Sequence, residues 1–176
     1  MAENETPPGD ATGAQGAAQQ AQVPRLSIVA QYVKDLSFEN PRAPSGIQGN
    51  ERPEIQIKVD SRARQIEAER FEVDLVVNVE AKAGGQSLFV CELTYGGLFL
   101  IAGVPQDAVQ PVLMIECPRL LFPFARRIIA DATRDGGFPP LMIDPIDFVA
   151  LYRRRMAEAQ QAQQATSAGS PPSGTA

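Results

Sequence analysis

The side chains able to do chemistry in this sequence are few. Histidine is absent from all 176 residues. Its absence removes Ser-His-Asp and Cys-His nucleophiles, histidine-held metals and the usual proton shuttle near neutral pH. Two cysteines remain, Cys91 and Cys117. Their separation matches no metal spacing and nothing basic stands beside Cys91, so both read as small buried hydrophobes. The loop Ala83-Gly84-Gly85-Gln86 lacks the lysine and following helix of a phosphate cradle. What is left is carboxylate. Asp35 and Glu39 flank the end of a first extended segment, and Glu92 lies in a fourth. A face carrying them is either an ordinary solvated surface or a flat acidic one for a basic partner. No catalytic group, metal site or cofactor is expected.

Four extended segments and three helical ones must position these residues. Leu26 to Val33 is apolar on both sides. Ile55, Ile57 and Val59 alternate with Glu54, Gln56, Lys58 and Asp60, and Phe71 to Ala81 is a long period-two series. Gln86 to Ala102 reads as a fourth strand, with Gly84-Gly85 as the hairpin turn before it and Gly96-Gly97 as a bulge or bend within it. The texture then turns helical. Asp107 suits the start of a helix reaching about Glu116, which Pro118 ends or kinks. Leu121, Ala125, Ile128, Ile129 and Ala132 form one stripe on a second helix, stopped at Gly136-Gly137. A third starts near Pro145 and runs through Arg153-Arg154-Arg155. Strands followed by helices predict an α+β fold, a four-stranded antiparallel sheet with helices on one face.

Composition bounds the rest. Hydrophobic residues make up 44% of the chain and charged ones 21%, enough for one ordinary core. The net charge of -5 speaks against nucleic acid or an anionic membrane surface as partner. Residues 1–24 and 157–176 are rich in Ala, Gln, Gly and Pro and carry no Lys or Arg. They read as disordered tails around a domain at 25–156, with the start of the second tail able to extend a helix. The N-terminus lacks a signal-peptide pattern, and no run approaches the ~18 apolar residues of a membrane span, so a reducing cytosol is expected.

The second half holds more apolar groups than a small core needs. Tyr95, Leu98, Phe99, Phe138, Leu141 and Met142 are either core or the lining of an open groove near the bent fourth strand and the 138–143 loop. The stripe Leu121, Ala125, Ile128 and Ile129, with Leu120, Phe122 and Phe124 beside it, is apolar on more than one side. That suggests a subunit contact as well as packing on the sheet. The first strand offers an edge for pairing with its own copy.

Four segments, in order, resemble one family. Residues 32–41 (YVKDLSFENP), 89–99 (FVCELTYGGLF), 117–126 (CPRLLFPFAR) and 136–152 (GGFPPLMIDPIDFVALY) are similar to the signatures of SecB proteins, and together span about 25–155. The chain departs from the common pattern at Tyr95, where Gln is usual, and at Phe124, where Tyr is usual. The resemblance implies a cytosolic, cofactor-free chaperone of the Sec export pathway. Such a protein is a homotetramer built as a dimer of dimers. It holds unfolded precursors in long apolar grooves and passes them to the SecA ATPase. The family's SecA-contacting positions fall on Asp35, Glu39, Val90 and Glu92, and its main helix carries contact between dimers. A SecB-like chaperone of a toxin-antitoxin system is the alternative. A hotdog-type thioesterase shares the long strands and single main helix, but places that helix early, whereas here it follows all four strands.

Overall fold

A computed structural model describes residues 23–44 and 52–168. Four strands come first: β1 (Arg25–Glu39), β2 (Glu54–Glu67), β3 (Arg70–Ala83) and β4 (Gln86–Ala102). They form one antiparallel sheet in the order β1-β4-β3-β2, so β1 and β2 are both edges. The β3–β4 hairpin turns on Gly84 and Gly85, both at positive φ (57° and 76°), which a two-residue turn of matching twist requires. β1 and β2 run further than their alternation alone suggested, to Glu39 and Glu67.

Period two separates the sheet's faces. On one, Val73, Leu75 and Val77 of β3 and Cys91, Leu93 and Phe99 of β4 are buried. On the other stand Glu72, Asp74, Asn78 and Glu80 of β3 and Val90, Glu92 and Thr94 of β4. The helices cover the first face: α1 (Gln106–Pro111), a π turn (Val112–Glu116), α2 (Cys117–Asp135) and α3 (Phe148–Ala168).

Pro118 does not end the helix. It has no N–H to return to the preceding turn, and the ladder widens into the π turn before continuing as α2. Gln106 to Asp135 is therefore one 30-residue rod, long enough and in mean composition apolar enough for a membrane span, although Glu116 and Arg119 interrupt its apolar residues. Its role here is that of a core helix. Leu121, Ala125 and Ile129 have no exposed surface and lie on the sheet, each large side chain contributing about 1.5–3 kcal/mol by burial.

Asp147 caps α3, accepting a hydrogen bond from the Ala150 N–H at 2.9 Å. Arg155 ties that helix to β2, 2.9 Å from Asp60 and 2.6 Å from the Ser61 carbonyl. The helix continues through Ala168, past the domain end expected at 156, because Ala, Gln and Glu are good helix formers. Of the tails expected at 1–24 and 157–176, residues 1–22 and 169–176 lie outside the described residues.

Candidate functional site

The helices do not cover the inner face evenly. They leave the β2 edge open, and there Ile55 and Ile57 remain 41% and 38% exposed. The chain segment between α2 and α3 runs beside this edge. Its path is fixed from within. The hydroxyl of the fully buried Thr133 donates to the Ile129 and Ala130 carbonyls, both at 3.0 Å, and accepts from the Leu141 N–H at 2.9 Å. The Thr133 carbonyl accepts from Phe138 N–H at 3.1 Å, and Asn40 holds the Gly136 carbonyl.

Between β2 and this segment lie two clefts. The first, of about 160 Å³, is lined by Pro53, Ile55, Leu88, Phe89, Phe138, Pro139, Pro140 and Leu141. Phe38, Phe89 and Phe138 cluster beside it, with ring centroids 4.9–6.4 Å apart. The second, shallower and about 590 Å³, is lined by Ile57, Lys58, Val59, Ile143, Asp144, Ile146, Leu151 and Arg154. Ile55, Ile57 and Val59 share one face of β2, so the two clefts follow one strand. An apolar trough along a strand edge accepts extended polypeptide through side-chain burial, without demanding a particular sequence.

The six residues expected to line a groove do not form one site. Phe138 and Leu141 line the first cleft. Met142 is 61% exposed but lines neither. Phe99 is fully buried in the core, and Tyr95 is buried with its ring 6.3 Å from that of Phe124. Leu98, next to Phe99 in an extended strand, points to the opposite face. The β2 side chains and Ile143, Ile146 and Leu151 were not singled out. Their alternation was visible, but it does not say that the strand ends up uncovered.

The four expected docking residues, by contrast, come together on the outer face. Asp35 pairs with Thr94, Ser37 with Glu92 and Glu39 with Val90. Asp35, Glu39 and Glu92 are exposed, and Val90 lies half-buried between Glu39 and Glu80. A shallow dish of about 280 Å³ adjoins them, lined by Gln56, Lys58, Asn78, Glu80, Val90 and Glu92.

Of the four expected interface residues, three face inward. Leu121, Ala125 and Ile129 pack on the chain's own sheet, and Ile128 is half-buried at the helix flank. The solvent side of α2 instead presents Leu120 and Phe124, 40% and 43% exposed. Phe124 stacks on Tyr95, whose β1 neighbour is Val33. Val33, Ile28 and Leu36 are exposed on the same side of β1, so the apolar surface is continuous from helix to edge strand.

Both thiols are inert in character. Burial pushes Cys117 up to about 12 and raises Cys91 as well. Among the described residues no group of three or more Cys, Asp or Glu is placed to hold a metal.

The family model described as preprotein translocase subunit SecB matches residues 19–159. The protein-export protein SecB of Agrobacterium fabrum is 59% identical over 148 residues, covering 84% of this chain and 92% of that protein. That of Parvibaculum lavamentivorans is 52% identical over 157 residues, 89% and 92% of the two chains. Among solved structures, a Mycobacterium tuberculosis SecB-like chaperone in complex with a ChAD peptide from the HigA1 antitoxin superposes with a TM-score of 0.55. It is 16% identical and covers 69% of this chain and 91% of that one, a likeness of fold.

Proposed function

Because the chain belongs to the SecB family, we propose that it is a cytosolic holding chaperone of the Sec pathway, which captures unfolded precursors in the β2 trough and hands them to SecA through the outer acidic face. The observation that carries this reading is the separation of two surfaces. An apolar trough lies on the helix side at the β2 edge, and a carboxylate-bearing plate lies on the opposite side, toward the β1 edge.

The mechanism needs no reacting group. Each cleft takes a few apolar side chains of an extended client. Burying one such residue contributes about 1.5–3 kcal/mol, less the entropy of ordering it. Capture is therefore weak per cleft, and several clefts on one oligomer hold a long client by raising effective concentration. The exposed apolar surface of β1 and α2 suits self-association of this chain, with β1 edges pairing and Leu120, Phe124 and Ile128 packed between helices. A homotetramer, a dimer of dimers, is the assembly this reading uses. The basic tail of SecA then meets Asp35, Glu39 and Glu92, a contact that salt weakens.

The toxin–antitoxin alternative draws only on a 16% identical fold neighbour, whereas export proteins stand at 52–59%. The test is aggregation suppression of a slow-folding precursor by the purified chain without nucleotide, together with SecA binding in rising salt. Suppression with salt-sensitive SecA binding is expected. A chain that leaves aggregation unchanged is not a holding chaperone.

A further inference from the structure

The outer acidic face depends on an irregularity in β1. Upstream, Tyr32 opposes Gly96 and Val33 opposes Tyr95; downstream, Asp35 opposes Thr94 and Leu36 opposes Leu93. One residue, Lys34, is extra. An earlier irregularity, at Val29, sets the register as far as Val33; with that one kept and Lys34 paired in line, Asp35 would oppose the buried Leu93, and every later side chain would change face. Asp35 and Glu39 would then turn toward the helices, and Leu36 and Phe38 toward the outer face.

Within one protomer, something must hold the bulge in a strand that has a neighbour on one side only. Lys34 lies 2.7 Å from Asp74 and 3.3 Å from Glu72, both on β3, the strand beyond its neighbour. It reaches them because β4 has no side chain at the crossing. A Cβ on Gly96 would stand 2.6 Å from the Tyr32 ring, 3.0 Å from Lys34 Cδ and 3.2 Å from Asp74 Oδ1. Tyr32 donates to Glu72 from the same side at 2.5 Å, and Arg64 of β2 closes on Glu72 from the other. One line of contacts thus ties β1, β3 and β2, passing over β4 at Gly96. The Arg64 guanidinium and the Tyr32 hydroxyl hold the Glu72 carboxyl down at about 2, so it stays ionised for Lys34.

We propose that Lys34 is the positioning residue of the docking face: anchored to Asp74 and Glu72 across Gly96, it fixes the β1 bulge that turns Asp35 and Glu39 to the side of Glu92. This rests on the docking reading above, and two measurements keep the claims apart. In the first, Lys34→Met, Lys34→Arg and Glu92→Lys proteins are titrated with a peptide of SecA's basic tail. Charge alone makes Lys34→Met the tighter binder, since it adds net negative charge beside Asp35. Positioning makes it the weaker one, by about tenfold, with Lys34→Arg restoring affinity to within about twofold. Unfolded-client holding is unchanged in both Lys34 variants.

The second measurement needs no partner. Cross-strand NMR contacts between Asp35 and Thr94 and between Ser37 and Glu92 are lost in Lys34→Met, while those from Leu26 to Tyr32 persist. Tail binding as tight as wild type in Lys34→Met, no rescue by Lys34→Arg, or an intact Asp35–Thr94 contact would each overturn the proposal. Equal tail binding by wild type and Glu92→Lys would instead remove the docking reading, and leave the NMR contacts to decide the positioning claim.

Discussion

Gly97 bears the weight of α2, and adding one methyl there puts a number on the helix–sheet contact. It sits on the helix-facing side of β4 beneath Leu121. A Cβ at this position would stand 2.7 Å from Leu121 Cδ2 and 2.7 Å from Phe99 Cε2. Ordinary carbon contacts are about 3.5–4.0 Å, so roughly 1 Å of separation must be found. Leu121 and Phe99 both have no exposed surface, so neither side chain swings into solvent. Overpacking of this kind costs about 1–3 kcal/mol. Against it, replacing Gly by Ala lowers the entropy of the unfolded chain by about 0.4–1 kcal/mol. The net loss for Gly97→Ala is then about 1–2 kcal/mol. In urea, with a slope of about 2 kcal/mol per molar, the midpoint falls by about 0.5–1 M at fixed protomer concentration. In a Leu121→Ala background the same methyl should cost less than half as much, because one of its two clashes is gone. It should still cost something, because the Phe99 ring remains. An unchanged midpoint in the wild-type background, or an equal cost in both, would refute this account of the contact.

Further outcomes follow from other sites. Phe124→Asp should lower the native mass read by light scattering while leaving the far-ultraviolet circular dichroism unchanged, because Phe124 faces solvent in the protomer. Leu121→Asp should instead unfold the chain, because its side chain lies in the core. Glu72 has a depressed carboxyl, so its contribution is fully present above about 4.5 and is lost as pH falls toward about 2. Arg64 is 69% exposed, so solvent screening keeps the contribution small. The gap in urea midpoint between wild type and Glu72→Gln should therefore close across that acid window, and a gap that widens there contradicts the assignment. Leu141→Ser should weaken holding of an unfolded client several-fold and leave SecA binding unchanged, as read by titration of each partner.

Much of the fold was legible because period two and glycine placement are local signals. β4 was bounded correctly at Gln86 and Ala102 by its alternation and the preceding Gly84-Gly85. Alternation puts Asp35 and Glu39 on the same side as each other, but it does not say that this is the side of Glu92, which the register shift at Lys34 decides. What alternation cannot report is which neighbours a strand receives. Ile55, Ile57 and Val59 have the pattern of a core strand, yet the order β1-β4-β3-β2 sets them at an edge that the helices leave open. The α2 stripe packs on the sheet, but its spacing does not say which apolar residues stay outside. Leu120 and Phe124 are as apolar as Leu121 and Ile129, and only the docked helix shows which pair meets the sheet. Grouping Leu98 with Phe99 ignored the strand period, which sends neighbours to opposite faces. The bulge at Lys34 had no glycine to mark it. It arises from side chains more than thirty residues away in sequence.

Methyl and amide NMR of the full chain, titrated in turn with a permanently unfolded precursor and with the basic SecA tail, tests the two-surface account most directly. The unfolded precursor should shift Ile55, Ile57, Leu141 and Ile143 and leave Asp35, Glu39 and Glu92 in place; the tail should do the reverse. Both ligands perturbing the same residues, or the precursor leaving the β2 trough untouched, would contradict it.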